Sequence, residues 1–332
     1  MIYTTNNASQ LRVLWNILES YRIDPEPLFR EMGLDPGVMN QPGGRYKIDN
    51  VDNLWRMASA VIDDPCFGLK APALWHPSNF GALAYAILAS NTLRAALERL
   101  VRYHRVISDE EFTKLDETEG GLRLTLHFSH EKRNIPERND AALALILNMC
   151  RMNYVEDLAP VSVTFTHPMP SCSARFFEYF RSPVLFEAAA DSLTLSFEAV
   201  DKHLPGSHPQ LAELHDQIMV KYLARLDQGR ITQQVKAIIV DQLPSGNVTD
   251  ESVSRVMTMS SRKLQRKLES AGTTFNALLN EVRQDLAKKY LKEQGVCMTE
   301  IAFLLGFSES SAFSRAFKRW MGVTPTEYRK VA

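Results

Sequence analysis

The sequence predicts an α+β N-terminal domain, helices followed by a small antiparallel sheet, and then an all-α domain with two helix-turn-helix units. Three observations carry this prediction. One pattern of apolar and turn residues occurs twice between Thr249 and Arg329, a strand-like alternation from Leu122 to Phe128 follows a run of helical stripes, and charge divides at Gly229. From Arg230 onward there are 16 Lys and Arg against 10 Asp and Glu, whereas the preceding part has 22 against 29. A basic surface confined to the C-terminal part suits nucleic acid there and a different task for the acidic remainder. At 332 residues the chain is long for one core and suits two domains. The expected division is 1–208 for a first domain, 209–229 for a linker helix and 230–332 for a basic second domain.

The chain begins with a helical stripe of Leu11, Leu14, Trp15 and Leu18. Pro25-Glu26-Pro27 opens a second short helix, and Gly33, Pro36, Gly37 and Pro42-Gly43-Gly44 punctuate a loop. Further helices are expected at Ile48 to Ile62, Gly81 to Ala89 and Leu93 to Val106, the last capped by Thr92 or Asn91. Leu122, Leu124, Leu126 and Phe128 then alternate with Arg123, Thr125 and His127 after a Gly120-Gly121 turn, predicting a hairpin with Glu111 to Asp116. A largely apolar helix from Asn139 to Tyr154 belongs in the core. Val161 to Thr166 and Leu193 to Phe197 supply strands around a helix at Arg175 to Phe180.

From Pro209 to Asp227, Leu211, Leu214, Ile218, Tyr222 and Arg225 follow a spacing close to a heptad seam. The helix expected here either pairs between subunits or packs on its own domain.

In the repeat, Val253, Ser254, Met257, Thr258, Met259 and Ser260 are matched 48 positions later by Ile301, Ala302, Leu305, Gly306, Phe307 and Ser308. Past the turn the register slips by one, so that Leu264, Gln265, Arg266 and Leu268 match Phe313, Ser314, Arg315 and Phe317. Each half reads as two helices joined by a tight turn. Leu264 and Leu268, and then Phe313, Phe317 and Trp320, form the apolar stripes. Opposite them stand Arg262, Gln265 and Arg266, then Ser311, Ser314 and Arg315, side chains able to read base edges. Lys263, Lys267, Lys318 and Arg319 suit phosphate. Ser260 and Ser308 are expected N-caps whose helix ends aim N–H groups at phosphate. Between the units a helix from Asn276 to Glu293 would be a strut of roughly 27 Å, suited to recognition helices in successive major grooves about 34 Å apart. Thr324-Pro325-Thr326-Glu327 is a capping box for a last helix.

Residues 249–329 resemble the DNA-binding domain of the AraC/XylS family of bacterial transcription regulators. The resemblance lies in Ile301-Ala302, Leu305-Gly306-Phe307-Ser308, Phe313-Ser314-Arg315-Ala316-Phe317-Lys318, Gly322-Val323, Pro325 and Tyr328-Arg329. In the first unit Ser254 stands where the family has Ala, and Thr258 where it has a turn Gly, which predicts a strained or reshaped turn. Leu11 to Leu204 resembles the arabinose-binding-type effector and dimerisation domain of one subgroup, through the order of helices before strands, Tyr179-Phe180-Arg181-Ser182-Pro183-Val184-Leu185-Phe186, and Leu193 with Phe197.

The resemblance implies a ligand-responsive regulator of promoter DNA, working as a homodimer. Activation would also imply contact with RNA polymerase. For the effector, Trp75, His76, Phe80, Tyr85, Tyr103, His104 and Arg105 concentrate aromatic and basic character. Phe80, Tyr85, Tyr103, His104 and Arg105 are the candidate contacts, with His104 or Arg105 taking a carboxylate. An amphipathic organic acid is the first expectation for the ligand and an amino-acid-like metabolite the second. The alternative is a constitutive DNA binder whose N-terminal domain only dimerises or holds a protein partner.

An enzyme fused to this kind of DNA reader, as in DNA-alkylation sensors, would need a reactive Cys in a metal cluster. Cys66, Cys150, Cys172 and Cys297 are dispersed and read as reduced thiols. No hydrolase, metalloprotease or nucleotide-binding pattern is present, so neither catalysis nor a cofactor is expected. His127 and His130, three apart at a strand end, point to opposite faces and predict no metal site. The longest apolar run, Ala141 to Leu147, is far short of the roughly 20 residues that span a bilayer. With no signal-like N-terminus, a cytoplasmic protein without membrane contact is expected.

Overall fold

The computed structural model describes residues 4–109, 112–127, 134–154, 157–292 and 296–331, and the chain forms two compact units that divide between Leu223 and Ala224. In the N-terminal unit, β1 (Thr5–Asn7) pairs antiparallel with β2 (Arg45–Lys47). These three-residue strands carry no periodicity, and nothing in the sequence announced them. Between and after them come α1 (Arg12–Ser20), α2 (Pro25–Glu31) and α3 (Ile48–Val61). Asp24 caps α2 by accepting from the Glu26 amide, with Pro25 at the first helical position where no N–H is missed. Leu14, Ile17, Leu18, Phe29 and Leu54 are wholly buried in one cluster on these helices.

There follow α4 (Ala71–Leu74), α5 (Ala82–Leu88) and α6 (Leu93–Tyr103), the last capped by Thr92, whose side chain accepts from the Ala95 amide. The chain then enters the hairpin of β3 (Phe112–Thr118) and β4 (Gly121–His127), turning on Glu119-Gly120. At Gly121, with φ +136°, an added Cβ would lie 2.1 Å from the Leu195 carbonyl oxygen, so the close approach of the neighbouring strand requires glycine. After α7 (Pro136–Asn153) come β5 (Ser162–Thr164), α8 (Ala174–Phe180), β6 (Val184–Leu185), β7 (Ser192–Leu195) and α9 (Phe197–Asp201). The strand expected through Phe197 ends at Leu195 because Ser196 caps α9, accepting from the Ala199 amide.

The sheet order is β3-β4-β7-β5-β6. Its pairings are antiparallel as expected, except that β5 and β6 run parallel. A parallel pair needs a crossover, and α8 supplies it. Leu122, Leu124, Val163, Leu193 and Leu195 bury the inner face of the sheet in a second cluster with Leu143 and Leu147 of α7.

The expectation of four reduced thiols is corrected by Cys66 and Cys172, which form a disulfide with Cα atoms 6.3 Å apart. They stand 106 residues apart in sequence, a separation that hides their proximity across the fold. Cys150 is a buried free thiol whose pKa burial pushes up to about 12, and Cys297 is exposed.

One helix, α10, runs from Pro209 to Gln242, well past the end expected at Gly229. Its first part belongs to the N-terminal unit through buried Ala212 and Met219 and an ion pair of Asp216 with Arg99 at 3.2 Å. Of the expected seam, Leu211, Leu214 and Ile218 are 40%, 52% and 46% exposed, whereas Tyr222 packs on the N-terminal core and accepts from Arg45 at 3.2 Å. Its last turns, with Ile231, Val235 and Ile239 buried, belong to the core of the C-terminal unit.

The C-terminal unit continues with α11 (Asp250–Val256), α12 (Ser261–Ser270), α13 (Phe275–Lys292), α14 (Met298–Leu304), α15 (Ser310–Met321) and α16 (Pro325–Val331). Two separate cores form here. Leu278, Leu279 and Val282 of α13 pack with Val253, Leu264 and Leu268. Ala287 and Leu291, further along the same helix, pack with Ile301, Leu305, Phe313 and Phe317. A single helix thereby holds both helix pairs. The Thr324–Glu327 capping box is present, each partner receiving the other's backbone N–H. Among the described residues no helix is long and apolar enough to cross a membrane.

Candidate nucleic-acid interface and effector cavity

In the first helix pair Ser260 caps α12, accepting from the Lys263 amide at 3.3 Å. With Leu264 and Leu268 wholly buried, the turn geometry leaves Arg262, Lys263, Gln265, Arg266 and Lys267 exposed. On α15, Phe313 and Phe317 are buried while Ser311, Arg315, Lys318 and Arg319 are exposed and Ser314 is half-buried. Two helices of one unit therefore offer corresponding polar faces, each opposite an apolar stripe anchored to α13.

Some local details differ from expectation. Ser308 is not the cap of α15. The N-cap is Glu309, which makes no side-chain cap bond, because the extra residue of the second repeat lies in the turn and sets Ser308 one position too early. Glu309 instead accepts from the Ser311 hydroxyl at 2.9 Å. Gln265 donates to Asp250 at 2.7 Å, so this side chain must exchange an internal partner before it can pair with a base. Thr258 adopts φ +50° and Gly306 φ +71°. The first turn thus keeps the family's left-handed shape, with the strain on threonine. Ser254 is buried with its hydroxyl satisfied by the Glu251 carbonyl at 3.0 Å and the Ser261 hydroxyl at 3.1 Å.

Sequence reasoning missed Arg283. From α13 it donates to the Leu305 and Gly306 carbonyls at 2.9 and 3.2 Å and lies 4.6 Å from the centre of the Phe307 ring. Burial lowers the pKa of its guanidinium. It satisfies the carbonyls at the end of α14 and fixes the second turn. Flanked by Glu281, Gln284 and Asp285, Arg283 reads in the sequence as one more charge on a solvated face, so no local signal marked it.

The N-terminal unit contains a cavity of about 160 Å³, lined mostly by aliphatic and aromatic side chains of α1, α3, α5, α6 and α7, among them Trp55, Leu83, Leu100 and Leu145. Of the candidate effector contacts, Phe80 and His104 line it. Tyr85, Tyr103 and Arg105 do not. Tyr85 is an exposed ring stacked on His215 at 5.7 Å, and Tyr103 is buried in the core beside the sheet. Arg105 lies in the short 3-10 turn after α6, away from the lining. His76 caps its own turn, accepting from the Ser78 amide.

Apart from His104, the polar part of the lining was not foreseen. Arg138 at the start of α7 pairs with Asp52 of α3 at 2.7 Å, both nearly inaccessible. Asn139, Asn6, Thr113 and His127 also line the cavity. Three consecutive polar residues, Arg138-Asn139-Asp140, at the head of a buried helix were the overlooked clue. His127 thus faces an organic cavity, and its presumed companion His130 lies outside the described residues.

Residues 23–204 match the family described as the arabinose-binding domain of AraC transcription regulator, N-terminal, and residues 253–331 match a helix-turn-helix domain family. The chain is 29% identical to the ornithine utilization regulator of Pseudomonas aeruginosa over 96% of its own length and 94% of that protein. It is 25% identical to the transcriptional regulator VirS of Mycobacterium tuberculosis, over 95% and 94% of the two chains. The crystal structure of the transcriptional regulator CdpR from Pseudomonas aeruginosa shares the fold, with a TM-score of 0.50, 20% identity and coverage of 97% and 98%. With the paired helix-turn-helix units and the preceding α+β unit, these matches place the chain in the AraC family of DNA-binding transcription regulators.

Proposed function

We propose that this regulator is ligand-responsive, binding promoter DNA through both recognition helices, α12 and α15, in successive major grooves. The supporting observation is the shared strut: α13 carries buried residues of both cores, so the two exposed faces are held in one unit at a fixed spacing. In this reading Arg262 and Arg266 contact guanine and Gln265 adenine, each worth about 1–3 kcal/mol of discrimination. Arg315, Ser311 and Ser314 read or position the second site, and Lys263, Lys267, Lys318 and Arg319 neutralise phosphate.

The effector enters the cavity of the N-terminal unit, and its binding shifts the protein between two arrangements of differing DNA affinity. The exposed seam of Leu211, Leu214 and Ile218 supports a homodimer, in which a second copy covers that face. Activation through contact with RNA polymerase in the cytoplasm completes the reading.

The test begins with selecting bound sequences from a random DNA library and measuring affinity for the selected site with and without candidate effectors. A ligand at 100 times its Kd stabilises the protein by about 2.7 kcal/mol, visible as a thermal shift. A compound that shifts melting and changes affinity for the selected site is the expected result. Site affinity that no cavity-binding compound alters would contradict ligand control.

A further inference from the structure

We infer that the cavity of the N-terminal unit selects a small, mainly apolar molecule carrying a hydrogen-bond donor, an alcohol or a primary amine, over a carboxylate. This inference rests on the reading of that cavity as the effector site.

Three buried polar atoms on its wall, Asn6 Oδ1, Asn139 Oδ1 and Thr113 Oγ1, have no partner among the described residues. Asn6 and Asn139 are 3% and 1% exposed. The two amide oxygens can only accept, and a buried acceptor left unpaired is costly, so a donor delivered by a ligand is rewarded there, while the Thr113 hydroxyl can accept or donate. The orientation of Asn139 follows from its neighbours. Its Nδ2 donates to Asn134 Oδ1 at 2.5 Å and to Asp191 Oδ2 at 2.9 Å, and a carboxylate can only accept. Oδ1 therefore remains the atom free to meet a ligand, and Asp191, itself 2% exposed, polarises the amide and strengthens Oδ1 as an acceptor.

The same wall disfavours an anion. The guanidinium of Arg138 already faces the Asp52 carboxylate, His104 Nδ1 lies 3.3 Å from the Val101 carbonyl oxygen and His127 is likewise engaged, so a ligand carboxylate would have to compete for each of them inside an apolar surround. Asn6 and Asn139 would present oxygen to oxygen. A sugar is equally unsuited, because most of the wall is hydrocarbon and would strip its hydroxyls of partners. A dry cavity of about 150 Å³ holds benzene, so the space here suits a ring or short chain bearing one head group.

The experiment titrates the full-length chain by calorimetry with ethylbenzene, 2-phenylethanol, 2-phenylethylamine and phenylacetate, and with a parallel series on a six-carbon chain. The alcohol or the amine is expected to bind at least tenfold tighter than both the hydrocarbon and the carboxylate. Asn6→Leu should reduce that preference by threefold or more while leaving hydrocarbon binding intact, and Thr113→Val, nearly isosteric, should lower only the advantage over the hydrocarbon. A carboxylate that binds best, or head groups that bind no better than the hydrocarbon because water already serves these atoms, would overturn the inference and leave the cavity as a ligand site. Failure of every compound to bind, hydrocarbons included, would overturn both.

Discussion

The two helix pairs of the C-terminal unit are built to one plan, yet their turns are secured differently. In the second, Gly306 takes φ +71° with the Leu243 carbonyl oxygen where a Cβ would come within 2.7 Å, and Arg283 donates to the carbonyls of Leu305 and Gly306. In the first, Thr258 holds nearly the same left-handed conformation at φ +50°. The position following the first helix thus demands a backbone shape in both units, but only in the second does a close neighbour also demand the absence of a side chain. The repeat keeps the turn's backbone shape in both units, and the residue type follows from the local surroundings.

Substitutions can break this contrast. Gly306→Ala should cost about 2–4 kcal/mol, combining left-handed strain with a backbone clash, read as a fall in the denaturation midpoint. A loss below about 1 kcal/mol would show that Leu243 moves aside freely. Arg283→Met keeps the stem but removes the donors, and a loss of about 2–3 kcal/mol is expected. Arg283→Lys should recover little, since an ammonium lacks the planar fork that reaches both carbonyls.

On DNA, Arg266→Ala should lose about 1–3 kcal/mol on the selected site and little on random sequence, whereas Lys267→Ala should weaken both alike and flatten the salt dependence. Equal loss on both DNAs for Arg266→Ala would remove it from base reading. The smallest effect runs the opposite way. Thr258→Gly should stabilise the protein by up to about 1 kcal/mol, strain relief exceeding the added chain entropy, and a melting temperature that falls would refute strain at that turn.

Much of the DNA-binding unit was legible because its signals are local. The stripe of Phe313, Phe317 and Trp320, the box at Thr324 and Glu327, and the cap at Ser260 each lie within a few residues and obey helical spacing. Ser308 misled because a one-residue insertion in the turn moved the cap to Glu309, a shift that the repeat shows only as a change of register. Arg283 and the Gln265–Asp250 bond were hidden because their partners lie 22 and 15 residues away.

In the N-terminal unit the α+β order was readable from periodicity, whereas the cavity was not. Its wall joins Asn6, Thr113 and Asn139 from three distant stretches, and of the aromatic and basic cluster between Trp75 and Arg105 only Phe80 and His104 reach it, while Tyr85 stacks on His215. The disulfide of Cys66 and Cys172 is a further long-range pairing that composition obscures.

Whether one strut places two reading helices on DNA is decided by mapping guanine N7 protection on the selected site for the wild type, Arg266→Ala and Arg315→Ala. Two protected major-groove patches about 10 base pairs apart are expected, one lost with each substitution. A single patch, or two substitutions that affect the same one, would contradict that placement.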